Sequence, residues 1–150
     1  MLLCREPSHE GSGEPMSLRD AVLFANEAFY RAFADRDIKA MDAVWSARDD
    51  VACLHPGWQP LFGRGDVMDS WAAILGNPQS PKIRCRDPEV QLHGDTAVVI
   101  CYEEIDGSFL IASNIYVREG QIWKLVLHQG GATAGSPAAE EAPDPAPRVN

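Results

Sequence analysis

Basic residues are scarce in this chain: 13 Lys and Arg stand against 22 Asp and Glu, a formal net charge of -9. Phosphate binding needs clustered Lys and Arg, and here they are scattered, so nucleic acid is excluded as the main partner. The four cysteines, Cys4, Cys53, Cys85 and Cys101, have no C-x-x-C spacing, which removes zinc-knuckle and thioredoxin-type readings. The histidines, His9, His55, His93 and His128, form neither H-x-H nor H-E-x-x-H, and no metal site is expected. No Gly-rich loop leads from a strand into a helix, and no Ser or Cys sits in a nucleophile elbow, so phosphate cradles and covalent hydrolases drop out as well. Long apolar runs are missing too, and Met1 to Glu6 holds only a two-residue one. A signal peptide, a bilayer span and a membrane partner are therefore not expected, and free buried thiols in an acidic chain point to the reducing cytoplasm.

What is present fits one domain of 150 residues with 45% hydrophobic and 23% charged content, close to the globular average. Residues 1–15, rich in Gly, Ser, Pro and Glu, read as a flexible leader, and Met16 is a candidate initiation site. Residues 16–131 hold the periodic segments. Residues 132–150, rich in Ala, Glu and Pro, bury too little apolar surface to repay ordering and read as a disordered tail.

Ser17-Leu18-Arg19-Asp20 resembles a capping box, and Val22, Ala25, Phe29 and Phe33, with Asn26 beside them, predict an amphipathic helix to about Arg36. Asp37 caps a shorter helix carrying Ile38, Met41, Val44 and Trp45. Val51 to Leu54 reads as a strand, followed by a loop punctuated by Pro56-Gly57, Pro60 and Gly63-Arg64-Gly65. Asp66 is expected to cap a third helix with Val67, Trp71, Ile74 and Leu75, stopped at Gly76-Asn77-Pro78. Lys82–Cys85 and Glu89–His93 predict a strand interrupted at Asp87-Pro88, as at an edge or a bulge. Thr96–Ile105, Ser108–Arg118 and Gln121–Gln129 then form an antiparallel meander through the turn dipeptides Asp106-Gly107 and Glu119-Gly120.

Helices first, one short strand, another helix, then a long antiparallel sheet is the order of the cone-shaped nuclear-transport-factor-two-like superfamily. Leu54-His55-Pro56-Gly57-Trp58, Leu61-Phe62-Gly63-Arg64, Ser70-Trp71, Tyr102-Glu103, the run Ala112 to Arg118 and Trp123-Lys124-Leu125-Val126-Leu127-His128-Gln129 resemble its SnoaL-like members. The last strand is also similar to the association domain of calcium/calmodulin-dependent kinase. The resemblance implies an α+β cone, with N-terminal helices packed in a strongly curved, mainly antiparallel sheet. Members of the superfamily include isomerases, dehydratases, cyclases and pure binding or oligomerising domains. Leu127 stands where many relatives carry the first of two histidines, and Gly130-Gly131 replaces a more usual Ala-Ser.

In such a cone the cavity opens beside the first strand, which makes His55 a general-base candidate near neutrality; tying down its loop by hydrogen bonding is the plainer use. Trp58 and Trp71 are either aromatic walls or core. Arg64 is either an anion anchor or a surface arginine. Alternation sets Val98, Ile100, Tyr102 and Glu104 on one face of their strand and Val99, Cys101, Glu103 and Ile105 on the other, so Tyr102 and Glu103 do not share a cavity without a bulge. The resemblance selects Glu103 as the special carboxylate, with an ion pair as its simpler role. Asn114, mid-strand, suits cross-strand hydrogen bonding or ligand orientation. His128 alternates with Ile122, Lys124 and Val126 on the wetter face, which places it at a rim or subunit interface and counts against a His55–His128 pair. The expectation is a pocket for a small apolar organic ligand, worked by acid–base chemistry without a cofactor: His55 as base, Glu103 as carboxylate, and Asn114 or Arg64 polarising an oxygen. A non-catalytic ligand-binding or oligomerising module is the alternative. Apolar residues on both sheet faces, such as Ile111, Ile115 and Val117 against Leu110, Ala112 and Tyr116, call for a homodimer through the sheet.

Overall fold

The computed structural model describes residues 16–138; the leader 1–15 and tail residues 139–150 lie outside them. Helix α1 (Leu18–Ala34) starts as its capping signal demands, with Ser17 Oγ accepting from Asp20 N at 3.1 Å. It ends at Ala34 with Asp35 as C-cap; Arg36, just beyond, takes φ 52°, and its guanidinium donates to the carbonyls of Asn77 and, at 2.7 Å, Ser80. The corner into α2 (Ile38–Val44, capped by Asp37) is thereby tied to the exit of α3. Helix α3 (Arg64–Gly76) begins two residues before the expected Asp66 cap. Gly63 occupies its N-cap at φ 90°, a conformation open to glycine alone, and Gly63 O accepts from Val67 N at 3.1 Å.

Six strands, β1 (Ala52–Leu54), β2 (Leu61–Phe62), β3 (Arg84–His93), β4 (Thr96–Ile105), β5 (Ser108–Glu119) and β6 (Ile122–Ala132), form one open sheet in the order β2-β1-β6-β5-β4-β3. All pairings are antiparallel except β1 with β6. The turn Asp106-Gly107 has positive φ at both residues, 48° and 80°, as a two-residue hairpin favours. Strand β3 is the outer edge. It runs unbroken through Asp87-Pro88 by a register shift between Arg86 and Glu89, which spares Pro88 a ladder donor it lacks.

Helix α1 touches β3, β4 and β6, so the inner face of the sheet closes over it. Val22, Phe29, Met41, Trp45, Val99 and Leu125 are buried between the layers, each worth about 1.5–3 kcal/mol in area removed from water. The core ends where polar side chains replace apolar ones: Asn26, Tyr30, Glu103, Asn114, Tyr116 and His128 are all buried.

Candidate functional site

A cavity of about 300 Å³ opens between the far end of α1, α3 and the inner face of the sheet. Phe29 and Phe33 line it from α1, Trp71 and Ile74 from α3, His55 and Trp58 from the loop after β1, and Glu103 and His128 from the sheet. The parallel β1–β6 pairing pairs Cys53 with His128. His55, two residues past Cys53, returns to the same face, and the two imidazole rings stand 6.4 Å apart.

That meeting corrects the alternation reading of β6. The β5–β6 ladder pairs Ile115 with Leu127 but Tyr116 with Leu125, leaving Val126 as an extra residue. A bulge of this kind reverses the facing of every later side chain. His128 therefore joins Trp123 and Leu125 on the inner face and is only 3% exposed.

Glu103 is 2% exposed. Burial pushes its carboxyl up to about 7, partly offset by the Tyr30 hydroxyl, which donates to Oε2 at 2.7 Å. Burial lowers His55 to about 4, and burial followed by the nearby His55 lowers His128 to about 3. His128 Nε2 lies 3.9 Å from Glu103 Oε2, outside hydrogen-bond reach. Since burial favours the neutral form of each, the pair is a carboxylic acid facing a neutral imidazole below about pH 7 and a carboxylate facing the same neutral imidazole above it, a salt bridge in neither state.

His55 is also a structural tie. Its Nε2 is 2.9 Å from Ser70 Oγ, and Ser70 spends its own proton on Val67 O at 2.6 Å. Nε2 must therefore carry the imidazole proton, which leaves the lone pair on Nδ1. Trp58, 49% exposed, packs edge-on against His55 with ring centroids 4.7 Å apart and forms the mouth. Trp71 is both core and wall: it is 1% exposed and edge-on to Phe29, Phe33 and His55. Its indole Nε1 is buried without an acceptor.

Three candidates do not face the cavity. Arg64 donates to Ser46 O at 2.6 Å and Asp42 O at 3.1 Å and pairs with Asp42 Oδ1 at 2.8 Å, joining α3 to the end of α2; the helix starting at residue 64 turns it that way. Tyr102 lies on the outer face of the sheet, edge-on to Phe109, as strand alternation requires. Asn114 is fully buried beneath the cavity, its Oδ1 2.5 Å from His128 Nδ1.

Sequence reasoning gave no site role to Tyr30, Tyr116, Ser70 or Gly130. A Cβ added to Gly130 would stand 3.1 Å from Glu103 Oε1 and 3.3 Å from Pro56 Cγ, so the glycine leaves room for the carboxyl. A signal for Tyr30 was available: it sits one turn after Asn26 on the buried side of α1.

A larger groove of about 620 Å³ lies outside the cone, between α1, α2 and the β5–β6 turn. Its charged lining residues, Arg31, Asp35, Asp37 and Lys124, are not buried, and it offers none of the poised groups of the smaller cavity. Among the described residues no cluster of three or more His, Cys, Asp or Glu is placed to hold a metal ion, and no helix is long and apolar enough to cross a membrane.

Comparison with known proteins agrees with this architecture. A provisionally named dehydratase of the NTF2-like family from Streptomyces avermitilis is 32% identical, with 77% of this chain and 95% of that one covered and a TM-score of 0.69. A provisionally named calcium/calmodulin-dependent protein kinase type II association domain from Thiobacillus denitrificans is also 32% identical, covering 73% and 92% with a TM-score of 0.67. The F-box protein SKIP8 of Arabidopsis thaliana is 24% identical over 110 residues, 72% of this chain, which spans about half (48%) of that protein's length. The family model of the SnoaL-like domain matches residues 22–134; with the helices, the open mixed sheet and these relatives, the chain belongs to the SnoaL-like branch of the NTF2-like superfamily, built as an α+β cone.

Proposed function

We propose that the cavity binds a small, largely apolar organic molecule and moves a proton on it without a cofactor, in an isomerase, dehydratase or cyclase type of reaction. The observation that carries this reading is the juxtaposition of Glu103, a carboxyl that titrates at about 7, with the neutral imidazole of His128 in a sheltered apolar hollow. Glu103 gives up a proton and, once ionised, takes one, while the neutral imidazoles of His55 and His128, held well below neutrality by burial, orient the ligand by hydrogen bonds rather than act as bases. Trp58 shapes the entrance. The lining contains no Lys or Arg, so a carboxylate or phosphate finds no counter-charge, which supports an uncharged ligand. The similarity to a protein named as a dehydratase is consistent with this class.

The rival is a module that binds or assembles without turnover, favoured by the similarity to a kinase association domain. Native mass spectrometry of the freshly purified chain identifies a retained molecule. Incubating that molecule with the protein in D2O then discriminates: deuterium uptake or loss of water supports catalysis, and an unaltered ligand leaves the binding module.

Assembly as a homodimer through the outer sheet face belongs to the same reading. Leu127, Ile115 and Val98 stand in register across β6, β5 and β4 on that face, an apolar row that benefits from cover. Sedimentation velocity at micromolar concentration should give a dimer that Ile115→Lys splits; a monomeric wild type sinks this part.

A further inference from the structure

The polar side chains beneath the cavity are bonded to one another in a fixed direction. Asn114 Nδ2 donates to Asn26 Oδ1 at 3.0 Å and to the Tyr30 hydroxyl at 3.1 Å. Asn26 Oδ1 also accepts from the Tyr116 hydroxyl at 2.9 Å, and Asn26 Nδ2 points to Cys85 Sγ at 3.6 Å. Tyr30 has one proton and gives it to Glu103 Oε2, so Cys101, 3.2 Å away, must be the donor in its contact with Tyr30. Only Asn114 Oδ1 remains for His128 Nδ1, and an amide oxygen requires an N–H opposite it.

We propose that Asn114 and Tyr30 are positioning residues of this site: together they hold His128 as the Nδ1–H tautomer, with its Nε2 lone pair on the Glu103 side, and keep Glu103 Oε2 an acceptor, so that the acidic proton sits on Oε1. Two other arrangements satisfy every bond: in one, both asparagine amides are turned over together and each donor is exchanged for an acceptor; in the other, the amides stay, a protonated Glu103 donates to Tyr30, and Tyr30 donates to Cys101. Both make Tyr30 accept from Glu103, which an ionised carboxylate cannot supply. The forward direction alone survives across the titration of Glu103. Gly130 completes the arrangement, since Oε1 is the carboxyl atom whose space a Cβ there would crowd. The cavity thus holds a carboxyl and an imidazole of assigned polarity on the inner face, reaching towards each other from β4 and β6, before any ligand enters.

The catalytic meaning of this polarity rests on the acid–base reading above, but its test does not need a substrate. Full-length chain labelled with 15N-histidine is read by long-range 1H–15N correlation at pH 6 and 8, and Glu103 by the 13C titration of its carboxyl. His128 is expected as Nδ1–H at both pH values. Asn114→Ala should abolish that single tautomer. Tyr30→Phe should keep the tautomer yet move the Glu103 midpoint upward, because the lost hydroxyl bond favours the ionised form. A wild-type His128 in the Nε2–H form, an Asn114→Ala spectrum that keeps Nδ1–H, or a Tyr30→Phe midpoint that stays or falls would each overturn the assignment. The wild-type spectrum and Tyr30→Phe suffice if Asn114→Ala does not fold. Absence of turnover with every ligand would defeat the enzymatic reading and leave this assignment standing, so the two failures are separable.

Discussion

Glu103→Gln offers a measurement in which packing changes cancel. The amide is close in shape to the protonated carboxyl and still gives Tyr30 an oxygen to bond. In the native protein Glu103 titrates at about 7, against 4.5 for an ordinary glutamate. A raised native value means that stability from the neutral acid is fully present below 4.5 and is lost as pH rises through 7. At about 1.4 kcal/mol per unit, the gap of roughly 2.5 units amounts to about 3 kcal/mol, with little solvent screening because the residue is 2% exposed. Gln has no such dependence. The stability of the variant relative to wild type should therefore improve by about 2.5 kcal/mol between pH 5 and pH 8.5, part of the full shift being already lost at pH 5, whatever constant offset the amide introduces. Urea unfolding of both proteins at the two pH values measures it. A difference that stays constant, or that moves the other way, refutes the claim that Glu103 is held as a buried acid.

In the Glu103→Gln background the two histidines become legible: both are lowered in the fold, to about 4 and about 3, so their contribution is present above 6.5 and lost as pH falls. Stability should drop near pH 5 with a slope approaching about 3 kcal/mol per unit, and a flat urea-midpoint profile from pH 6.5 to 4 would contradict it. Gly130→Ala should cost about 2 kcal/mol in thermal or urea unfolding by crowding Glu103 and Pro56; an unchanged midpoint would deny the close approach. Arg64→Ala should cost about 1–2 kcal/mol through the carbonyls it serves near α2 while retaining any ligand seen by native mass spectrometry, and loss of that ligand alone would restore Arg64 to the site.

Local chemistry decided much of the architecture in advance. Ser17 and Asp37 cap the first two helices, the stripe of Val22, Ala25, Phe29 and Phe33 faces the core, and Asp106-Gly107 turns β4 into β5, because each depends on residues a few positions apart. Strand alternation likewise separated Glu103 from Tyr102 before any tertiary contact was known. The start of α3 escaped because a glycine φ of 90° at Gly63 replaced a side-chain cap, and the continuity of β3 escaped because a bulge absorbed Pro88.

The site itself was decided by pairings that no local window contains. Whether Val126 is paired or bulged depends on how β5 lies against β6, and that choice carries His128 from the wet face to beside His55 and Glu103. Asn26 and Tyr30 meet Asn114 across more than eighty residues of chain. Sequence alone determined the helices, the long strands and the facing of β4, since hydrophobic period and turn stereochemistry are local; only the folded sheet determined the facing of the end of β6 and which ionisable groups lose water together, because bulges and desolvation depend on everything packed around them.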